Sequence, residues 1–411
     1  MSAVAEPAPL RRDAGIIALV GGAHLVSHFF QLLLAPLFPW LRDAFELTYA
    51  ELGFIMTVLF VISAAGQALA GFVVDRFGAL MTLNSGLACL SIGAVIIGAA
   101  TGYPMLLLGA VFVGLGNAVF HPVDFWLLNH RVSESRLGPA FSVHGLTGSL
   151  GWAAAPVFLV GIAVNSDWRT AIFAAAGIPL VIIAMTLRHH HLLAPDAPEH
   201  DLNEGPSQAE KTSQLGFLRL PEIWFCFSFF ALVSAALGGI QSFSPTVFEV
   251  DYGFTLTMAA MSVTIYMLAS AAGMLTGGWL VYRSQALERN IAVALILAAG
   301  SAFAVASELV PSMVAMALMA VMGFGSGLSG PSRDMLIRRA APVGATGRVY
   351  GVVYSGLDAG LAVGPVCLGR LLDRGAVGEI FYFVGGFLLL ATVVAWRVSG
   401  VLDERATGKV S

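Results

Sequence analysis

The sequence predicts an all-α membrane protein with twelve transmembrane helices in two pseudo-symmetric halves of six helices each. Of the 411 residues, 57% are hydrophobic and only 11% are charged, whereas soluble domains carry roughly 25% charged residues. Many apolar stretches also reach the roughly 20 residues that a helix needs to cross a bilayer. A helix satisfies its own backbone hydrogen bonds within the segment, which lipid requires.

The division into halves follows from an internal repeat with an offset of 209 residues. Three pairs of prolines share this offset and lie in or beside apolar segments: Pro36 with Pro245, Pro122 with Pro331, and Pro156 with Pro365. The chain has only 18 prolines, so three coincidences at one offset argue against chance. Similar membrane-embedded halves are typical of carriers whose substrate site lies between the halves. The repeat therefore favours a transporter.

The apolar stretches are expected in the following order along the chain: 15–40, 50–74, 79–100, 104–128, 138–163, 168–187, 221–247, 256–281, 289–308, 311–337, 346–371 and 376–399. The fifth and the eleventh are rich in glycine, which favours bent helices. We expect an N-terminal half at 1–190 and a C-terminal half at 218–411. Residues 191–217 are rich in Pro, Ser and acids, which is typical of a linker.

The distribution of Lys and Arg predicts that both termini and the linker are cytoplasmic. With the N-terminus inside, 17 of the 21 basic residues lie on the inner side and four lie outside: Arg42, Arg169, Arg370 and Arg374. Arg11 and Arg12 precede an apolar run that is too long for an export signal and has no clear cleavage site. They are interpreted as the positive flank of the first helix. The expected location is a bacterial inner membrane.

Several classes of protein find no support in the chain. Cys89, Cys226 and Cys367 are isolated in apolar segments and form no C-x-x-C pair, so neither a disulfide framework nor a thiolate metal site is indicated. No nucleophile elbow, H-E-x-x-H or phosphate-binding glycine motif indicates an enzyme. The net charge of −4 gives no reason to expect a nucleic-acid partner. We expect no cofactor, no metal and a monomer in the lipid bilayer.

A motif between the second and third stretches contains Gly71, Asp75, Arg76 and Gly78. It resembles the loop signature G-x-x-x-D-[RK]-x-G of the major facilitator superfamily. Glycine permits close helix approach, and an Asp–Arg pair at a helix end can hold one conformation and release it in another. The superfamily pattern continues with basic residues, but here Ala79 and Leu80 follow. An ordinary charged turn remains the alternative.

Two further motifs combine glycine with proline at helical spacing. The fifth stretch contains Gly145, Gly148, Gly151 and Pro156, and the eleventh contains Gly360, Gly364 and Pro365. Both resemble the G-x-x-x-G-P element of drug and proton antiporters, which implies export. Small residues bring backbones together, and proline bends a helix by removing a hydrogen bond. Packing of small residues without any bearing on transport direction remains the alternative.

The fourth and fifth stretches carry the most specific resemblance. Gly114-Leu-Gly116 and His121-Pro122 are followed by Arg136-Leu-Gly138 and Phe141-Ser-Val-His144-Gly145, and His24 lies in the first stretch. This pattern is similar to the fosmidomycin resistance protein branch of the superfamily, whose members are efflux carriers driven by protons. That branch implies an acid directly after the proline, where this chain has Val123 and then Asp124.

Polar residues inside the apolar stretches are the candidates for substrate and proton binding, because an ionisable group at bilayer depth costs roughly 2.5–3.5 kcal/mol or more. They are His24, His28, Gln31, His121, Asp124, His144, Gln241, Arg333, Asp334 and Asp358. The superfamily fold implies that the first helix turns its polar stripe toward a central cavity. Our hypothesis is that Asp358 and the pair His24/His28 take up protons, while Arg333 and the cavity histidines attract an anionic or polar substrate.

Each candidate also has a structural alternative. His24 and His28, four residues apart, could bind a metal, but no acid or third histidine is near them in sequence. A structural histidine would instead bond a backbone carbonyl. Asp124 could pair with a neighbouring His or Arg, and Arg333 with Asp334 could form a local pair.

The sequence therefore favours a secondary active transporter that exports a small drug-like or anionic compound in antiport with protons by alternating access, as in antibiotic resistance. The alternatives are uptake or facilitated diffusion of a small organic metabolite, and a membrane protein without transport activity.

Overall fold

The computed structural model describes residues 9–193, 219–283, 286–340 and 346–406. Within these ranges the secondary structure is helical, with no strand. Residues 194–217 of the predicted linker lie outside them, as do the two ends of the chain. The prediction of an all-α fold is confirmed for the described part of the chain.

Fifteen helices occur in the described ranges. In chain order they are α1 Leu10–Gln31, α2 Phe38–Phe45, α3 Tyr49–Phe77, α4 Ala79–Gly98, α5 Tyr103–Asn117, α6 Phe120–Arg131, α7 Leu137–Asn165, α8 Trp168–Arg188, α9 His190–Leu193, α10 Pro221–Val250, α11 Leu256–Arg283, α12 Leu287–Ala306, α13 Ser312–Ala340, α14 Thr346–Asp373 and α15 Glu379–Ala406.

Twelve segments of this described structure are long and apolar enough to cross a membrane. They are Leu10–Phe45, Tyr49–Gln67, Ala79–Gly98, Tyr103–Arg131, Pro139–Asn165, Trp168–Arg188, Pro221–Val250, Leu256–Val281, Leu287–Ala306, Ser312–Ile337, Val352–Asp373 and Glu379–Val398. Their number and order confirm the sequence prediction. The first is not one continuous helix, because α1 ends at Gln31 and a 3₁₀ turn at Ala35–Leu37 leads into α2.

The fourth membrane segment is also interrupted, between α5 and α6. Pro122 has no backbone N–H, so the carbonyl of Ala118 cannot receive the usual helical hydrogen bond from residue 122. The helix resumes after two residues, and the N–H of Val123 donates a hydrogen bond to the carbonyl of Val119 at 3.0 Å. The proline therefore interrupts the helix directly beside His121.

The chain divides into two compact units. Unit 1 comprises Met1–Thr48 and Phe54–Asp196, and unit 2 comprises Tyr49–Gly53 and Ala197–Ser411. In unit 1, α1 packs against α7, and α4 packs against α5 and α8. In unit 2, α11 packs against α13, and α10 packs against α14 and α15. Large aromatic side chains fill the interior of each unit, for example Phe30 in unit 1 and Phe381 in unit 2.

Candidate functional site

Five ionisable side chains come together inside unit 1, and we call them the His–Asp cluster: His24, His28, His121, Asp124 and His144. α1 supplies His24 and His28, which share a helix face because they are four residues apart. α6 supplies His121 and Asp124, three residues apart, and α7 supplies His144. Three helices therefore bring together residues separated by up to 120 positions in the sequence.

Asp124 lies at the centre of the polar contacts in this cluster. Its Oδ2 atom is 3.1 Å from Nε2 of His144 and 3.2 Å from Nδ1 of His24. The Asp124 side chain is 0% exposed, and His24 and His144 are 2% and 5% exposed. A buried carboxylate is tolerated only with polar or charged partners, and two imidazoles supply them here.

The imidazole rings also stack on one another. The rings of His24 and His144 are nearly parallel, with centroids 3.6 Å apart. The ring of His28 lies 4.3 Å from that of His24 and 4.2 Å from the ring of Trp152. The His121 ring lies 5.2 Å from the His24 ring. The four rings therefore form one compact group and not separate structural histidines.

Two glycines of α7 make room for this group. A Cβ atom at Gly148 would lie 2.9 Å from Nε2 of His24 and 2.8 Å from Cε1 of His28. A Cβ atom at Gly151 would collide with the backbone carbonyl of Leu25. Any larger residue at these positions would push α7 away from α1 or displace the rings. Gly148 and Gly151 of the fifth apolar stretch thus serve close helix contact in this structure.

A neutral hydrogen-bond network continues from the cluster along α1. Asn117 accepts hydrogen bonds from Ser27 Oγ at 2.6 Å and from Gln31 Nε2 at 3.2 Å. Its own Nδ2 atom donates to Ser63 Oγ at 2.8 Å. Trp152 Nε1 donates to Oε1 of Gln31 at 2.9 Å. Polar groups on α1, α3, α5 and α7 are therefore linked at membrane depth.

The family model described as Major Facilitator Superfamily matches residues 20–365. The chain belongs to the major facilitator superfamily. It is 24% identical over 282 residues to the fosmidomycin resistance protein of Escherichia coli (strain K12), covering 67% of each protein. It is 26% identical over 394 residues to the probable nitrate/nitrite transporter NarK2 of Mycobacterium tuberculosis, covering 94% of this chain and 95% of NarK2.

A solved structure of a D-xylose–proton symporter shares the fold of this superfamily member. Its TM-score is 0.78 at 14% sequence identity, covering 93% of this chain and 97% of the symporter. At this identity the likeness shows the fold alone. The family match makes this chain a transporter of the major facilitator type and not an enzyme.

The other candidates lie in unit 2 of this superfamily member. Gln241 on α10 is 2% exposed, and its Nε2 atom has no hydrogen-bond partner among the described residues. Asp358 on α14 is 8% exposed. Arg333 on α13 pairs with the adjacent Asp334 at 3.0 Å, and its guanidinium lies 4.3 Å from the Phe230 ring centroid. Arg333 and Asp334 thus form the local pair that the sequence left open.

The loop motif of the superfamily is only partly visible. Gly78 separates α3 from α4 with a φ of +83°, a conformation that favours glycine. Arg76 is exposed and lies 5.4 Å from the ring centroid of Phe77. The side chain of Asp75 and the surroundings of Gly71 lie outside the described part of the structure.

The proline-containing motifs lie inside long helices. Pro156 is within α7 and Pro365 within α14. Cβ atoms at Gly360 and Gly364 would meet the backbone of α10 at Ala231 and Ala235. In both units, therefore, the glycines beside the proline mark a close helix contact.

Sequence reasoning did not select Asn117 or Asp13. Asn117 is a lone amide in an apolar stretch, which was a usable signal. Asp13 on α1 is 0% exposed, and its Oδ2 atom lies 2.6 Å from Nη1 of Arg136. Because Asp13 follows Arg11 and Arg12, it reads in the sequence as part of a solvated helix flank.

Proposed function

We propose that this superfamily member exports a small drug-like or anionic compound in exchange for protons, by alternating access. The proposal includes a monomer in a bacterial inner membrane, with both termini and the linker cytoplasmic, as the charge distribution predicts. The observation that carries the proton coupling is the burial of Asp358 within the apolar segment Val352–Asp373. An ionisable group at this depth is expensive, and such groups mark substrate and ion pathways by default.

The physical reason for coupling lies in the cost of a buried charge. A carboxylate in a low-dielectric surrounding is destabilised relative to its neutral form. The neutral, protonated form of Asp358 is therefore favoured when water is excluded. The ionised form is favoured when water or a cationic group is close to the carboxylate. A carrier that exposes this side chain alternately to the two sides of a membrane would move one proton in each cycle.

Each unit, described by itself, offers hydrogen-bond donors for such a compound. The His–Asp cluster of unit 1 offers imidazole N–H donors within a buried group, and Arg333 of unit 2 offers a guanidinium. Arg333 already pairs with Asp334 at 3.0 Å, so an anionic compound would compete with that carboxylate. Imidazole and guanidinium donors both favour anionic or polar compounds over apolar ones.

The names of the two relatives bear on different parts of the proposal, one on direction and the other on substrate. The fosmidomycin resistance protein is named for resistance, which supports export by this chain. NarK2 aligns over 94% of the chain and is named a probable nitrate/nitrite transporter, which supports transport of a small anion and leaves uptake as the second candidate. Only a direct measurement of coupled flux separates the two.

The test is proton flux in proteoliposomes that carry a pH-sensitive dye inside. Fosmidomycin, nitrate and a panel of small organic anions are added in turn to the outside. Proton movement opposite to the added compound supports antiport. Movement of both in the same direction replaces export with uptake, and no substrate-dependent movement across the panel counts against both.

The matched variants are Asp358→Asn and Asp167→Asn. Asparagine at 358 keeps the size of the side chain but cannot release a proton, so substrate-driven proton flux is expected to disappear. Asp167 lies outside the membrane segments and caps α8 by accepting a hydrogen bond from the Thr170 N–H at 2.9 Å, which asparagine also does. Asp167→Asn should transport normally. Proton flux that persists in Asp358→Asn would remove Asp358 from the mechanism.

A further inference from the structure

We propose that the His–Asp cluster is a binding site for a divalent late first-row transition-metal ion such as Zn²⁺ or Co²⁺. His24, His121 and His144 are the ligands, and Asp124 is the carboxylate that offsets the charge of the ion. This site goes beyond the proposed function and rests on neither proton coupling nor export. The sequence lends little support to a metal site at His24 and His28, because no acid or third histidine lies near them in the chain. The fold supplies both.

The positions of the ring nitrogens carry the proposal first. His24, His121 and His144 each offer one nitrogen, and these three atoms all lie within 4.8 Å of one another. Bond lengths of about 2.0–2.1 Å to a tetrahedral ion place neighbouring ligand nitrogens about 3.3 Å apart. The three nitrogens therefore need to approach one another by at most about 1.5 Å. Small side-chain rotations suffice for such a movement.

Asp124 provides the second geometric argument. Its Oδ2 atom lies 3.1 Å from His144 Nε2 and 3.2 Å from His24 Nδ1. Asp124 lies outside the trio of ring nitrogens and is close to two of the three imidazoles, so it serves as an outer partner that orients them. Carboxylate partners of metal-binding histidines fix ring orientation and raise ligand basicity. This arrangement favours a bound cation.

The hydrogen bonding of the cluster is incomplete, which is an independent indication of a missing ligand. The Oδ1 atom of Asp124 is buried and has no hydrogen-bond partner among the described residues. Nδ1 of His24 also makes no hydrogen bond there, although Oδ2 of Asp124 is close. Buried polar atoms in native proteins are nearly always satisfied. A proton between Asp124 and one imidazole would satisfy only those two atoms. A metal cation would instead accept a lone pair from each of several imidazole nitrogens at once.

The chemistry of the ligand set selects the class of ion. Neutral imidazoles suit Zn²⁺, Co²⁺, Ni²⁺ and Cu²⁺, whereas Mg²⁺ and Ca²⁺ prefer sets of oxygen atoms. Three neutral imidazoles and one carboxylate leave a divalent ion with one uncompensated positive charge in a buried site. An anion in the remaining coordination position would neutralise that charge. The ion can therefore reach the site bare or together with an anionic compound.

His28 has a supporting place in this arrangement. Its ring packs on His24 at 4.3 Å and on Trp152 at 4.2 Å. The indole covers this side of the group, and Gly148 leaves the space that both rings of α1 occupy. His28 is therefore a positioning residue, and its loss should weaken binding less than loss of a ligand.

The experiment measures metal binding to the purified full-length protein, with an affinity tag that contains no histidine. The five histidines outside the cluster are replaced by glutamine in the background: His130, His189, His190, His191 and His200. Co²⁺ is then titrated and the visible absorption recorded, because tetrahedral and octahedral Co²⁺ have different spectra. Zn²⁺ is added afterwards as a competitor, and Zn²⁺ with citrate tests delivery as an anionic complex.

One equivalent of tetrahedral Co²⁺ per chain, displaced by Zn²⁺, is the expected result. His121→Gln and Asp124→Asn should each weaken binding, and the loss of the His121 ligand should exceed the 10–100-fold typical of an outer partner. His28→Gln should weaken binding less than His121→Gln. An octahedral spectrum in the parent protein, or equal affinity in the parent and His121→Gln, overturns the site.

A second measurement guards against variants that fold poorly. A ligand that binds only the native state raises the melting temperature, so Zn²⁺ should raise it in the parent protein and not in His121→Gln. An equal rise in both overturns the site. Binding is measured without a membrane or a proton gradient, so a negative result leaves the proposed export intact. Absence of proton flux in liposomes likewise leaves the metal site intact.

Discussion

The Oδ2 atom of Asp124 lies 3.1 Å from Nε2 of His144, and this contact joins α6 to α7 inside unit 1. Both side chains are buried, at 0% and 5% exposure. When Nε2 carries the proton of the imidazole, it donates to the carboxylate. A charged acceptor makes such a hydrogen bond stronger than a neutral one.

We expect Asp124→Ala to destabilise the protein more than Asp124→Asn. Alanine leaves the imidazole of His144 without its acceptor, and an unsatisfied buried polar group costs about 1–3 kcal/mol. Asparagine has nearly the same size as aspartate and keeps one oxygen that can accept a hydrogen bond. Thermal unfolding in detergent, followed by tryptophan fluorescence, gives the order of the melting temperatures. Equal melting temperatures for the two variants would show that the hydrogen bonds contribute nothing to stability.

The network around Asn117 gives a second prediction. Asn117→Ala removes hydrogen bonds with Ser27, Gln31 and Ser63. Polar bonds between membrane helices average about 0.6 kcal/mol each, so the loss should be roughly 2 kcal/mol. Asn129→Ala is the control, because Asn129 is exposed and its Nδ2 donates to the carbonyl of Phe125 within the same helix, α6. Unfolding of the purified proteins by denaturant compares the two, and an equal effect contradicts the prediction.

The sequence made the membrane segments predictable because lipid imposes one strong requirement on every residue of a span. Length and apolar composition therefore gave the number and order of the segments. The break between α5 and α6 could also be anticipated from Pro122. The turn after Gln31 could be anticipated in the same way, because Pro36 has no N–H to donate to the carbonyl of Leu32 and lies in the 3₁₀ turn Ala35–Leu37.

The candidate site was predictable residue by residue but not as an assembly. Helical spacing placed His24 beside His28, and His121 beside Asp124, because residues three or four apart share a face. It does not determine which helix faces which. The stacking of His144 on His24 depends on the packing of α7 against α1, and Gly148 and Gly151 permit it. That dependence also explains why a third imidazole and an acid were not expected near His24.

Glycine substitutions in α7 test this packing with a matched pair. Gly151→Ala places a Cβ atom against the carbonyl of Leu25 and 3.0 Å from the backbone nitrogen of Phe29. A backbone atom cannot rotate away, so α1 and α7 must separate. A Cβ atom at Gly145 meets nothing within 4 Å, and alanine there favours the helix by roughly 0.5–1 kcal/mol.

Gly151→Ala should therefore lower the melting temperature, whereas Gly145→Ala should leave it unchanged or raise it slightly. The two variants make the same chemical change on one helix, so general effects on membrane insertion cancel. Thermal unfolding together with gel filtration of the purified proteins provides the readout. A stable, monodisperse Gly151→Ala protein would mean that α1 and α7 are not in close contact.

The pH dependence of stability should be visible at Asp251, which lies outside the membrane segments and directly follows the last residue of α10. Burial, with the nearby Glu308 carboxylate, raises the pKa of Asp251 to about 6. Its Oδ2 atom has no hydrogen-bond partner among the described residues. A negative charge at a helix C-terminus is also unfavourable. The native state therefore holds a proton on Asp251 more tightly than the unfolded chain, where the pKa is about 3.9.

A carboxyl group whose pKa is raised by folding destabilises the native state at pH values above its pKa in the folded protein. This destabilisation decreases as the pH falls below that pKa, because the group becomes protonated in the native state. As the pH falls from 7.5 to 5, the melting temperature of the parent protein should therefore rise relative to the melting temperature of Asp251→Asn. Asp167→Asn is the control, because hydrogen bonds from Thr170 lower the pKa of Asp167. The contribution of Asp167 to stability therefore changes only at pH values below 5. A constant difference in melting temperature between the parent and Asp251→Asn from pH 7.5 to 5 would show that Asp251 is already ionised throughout, with no raised pKa in the folded protein.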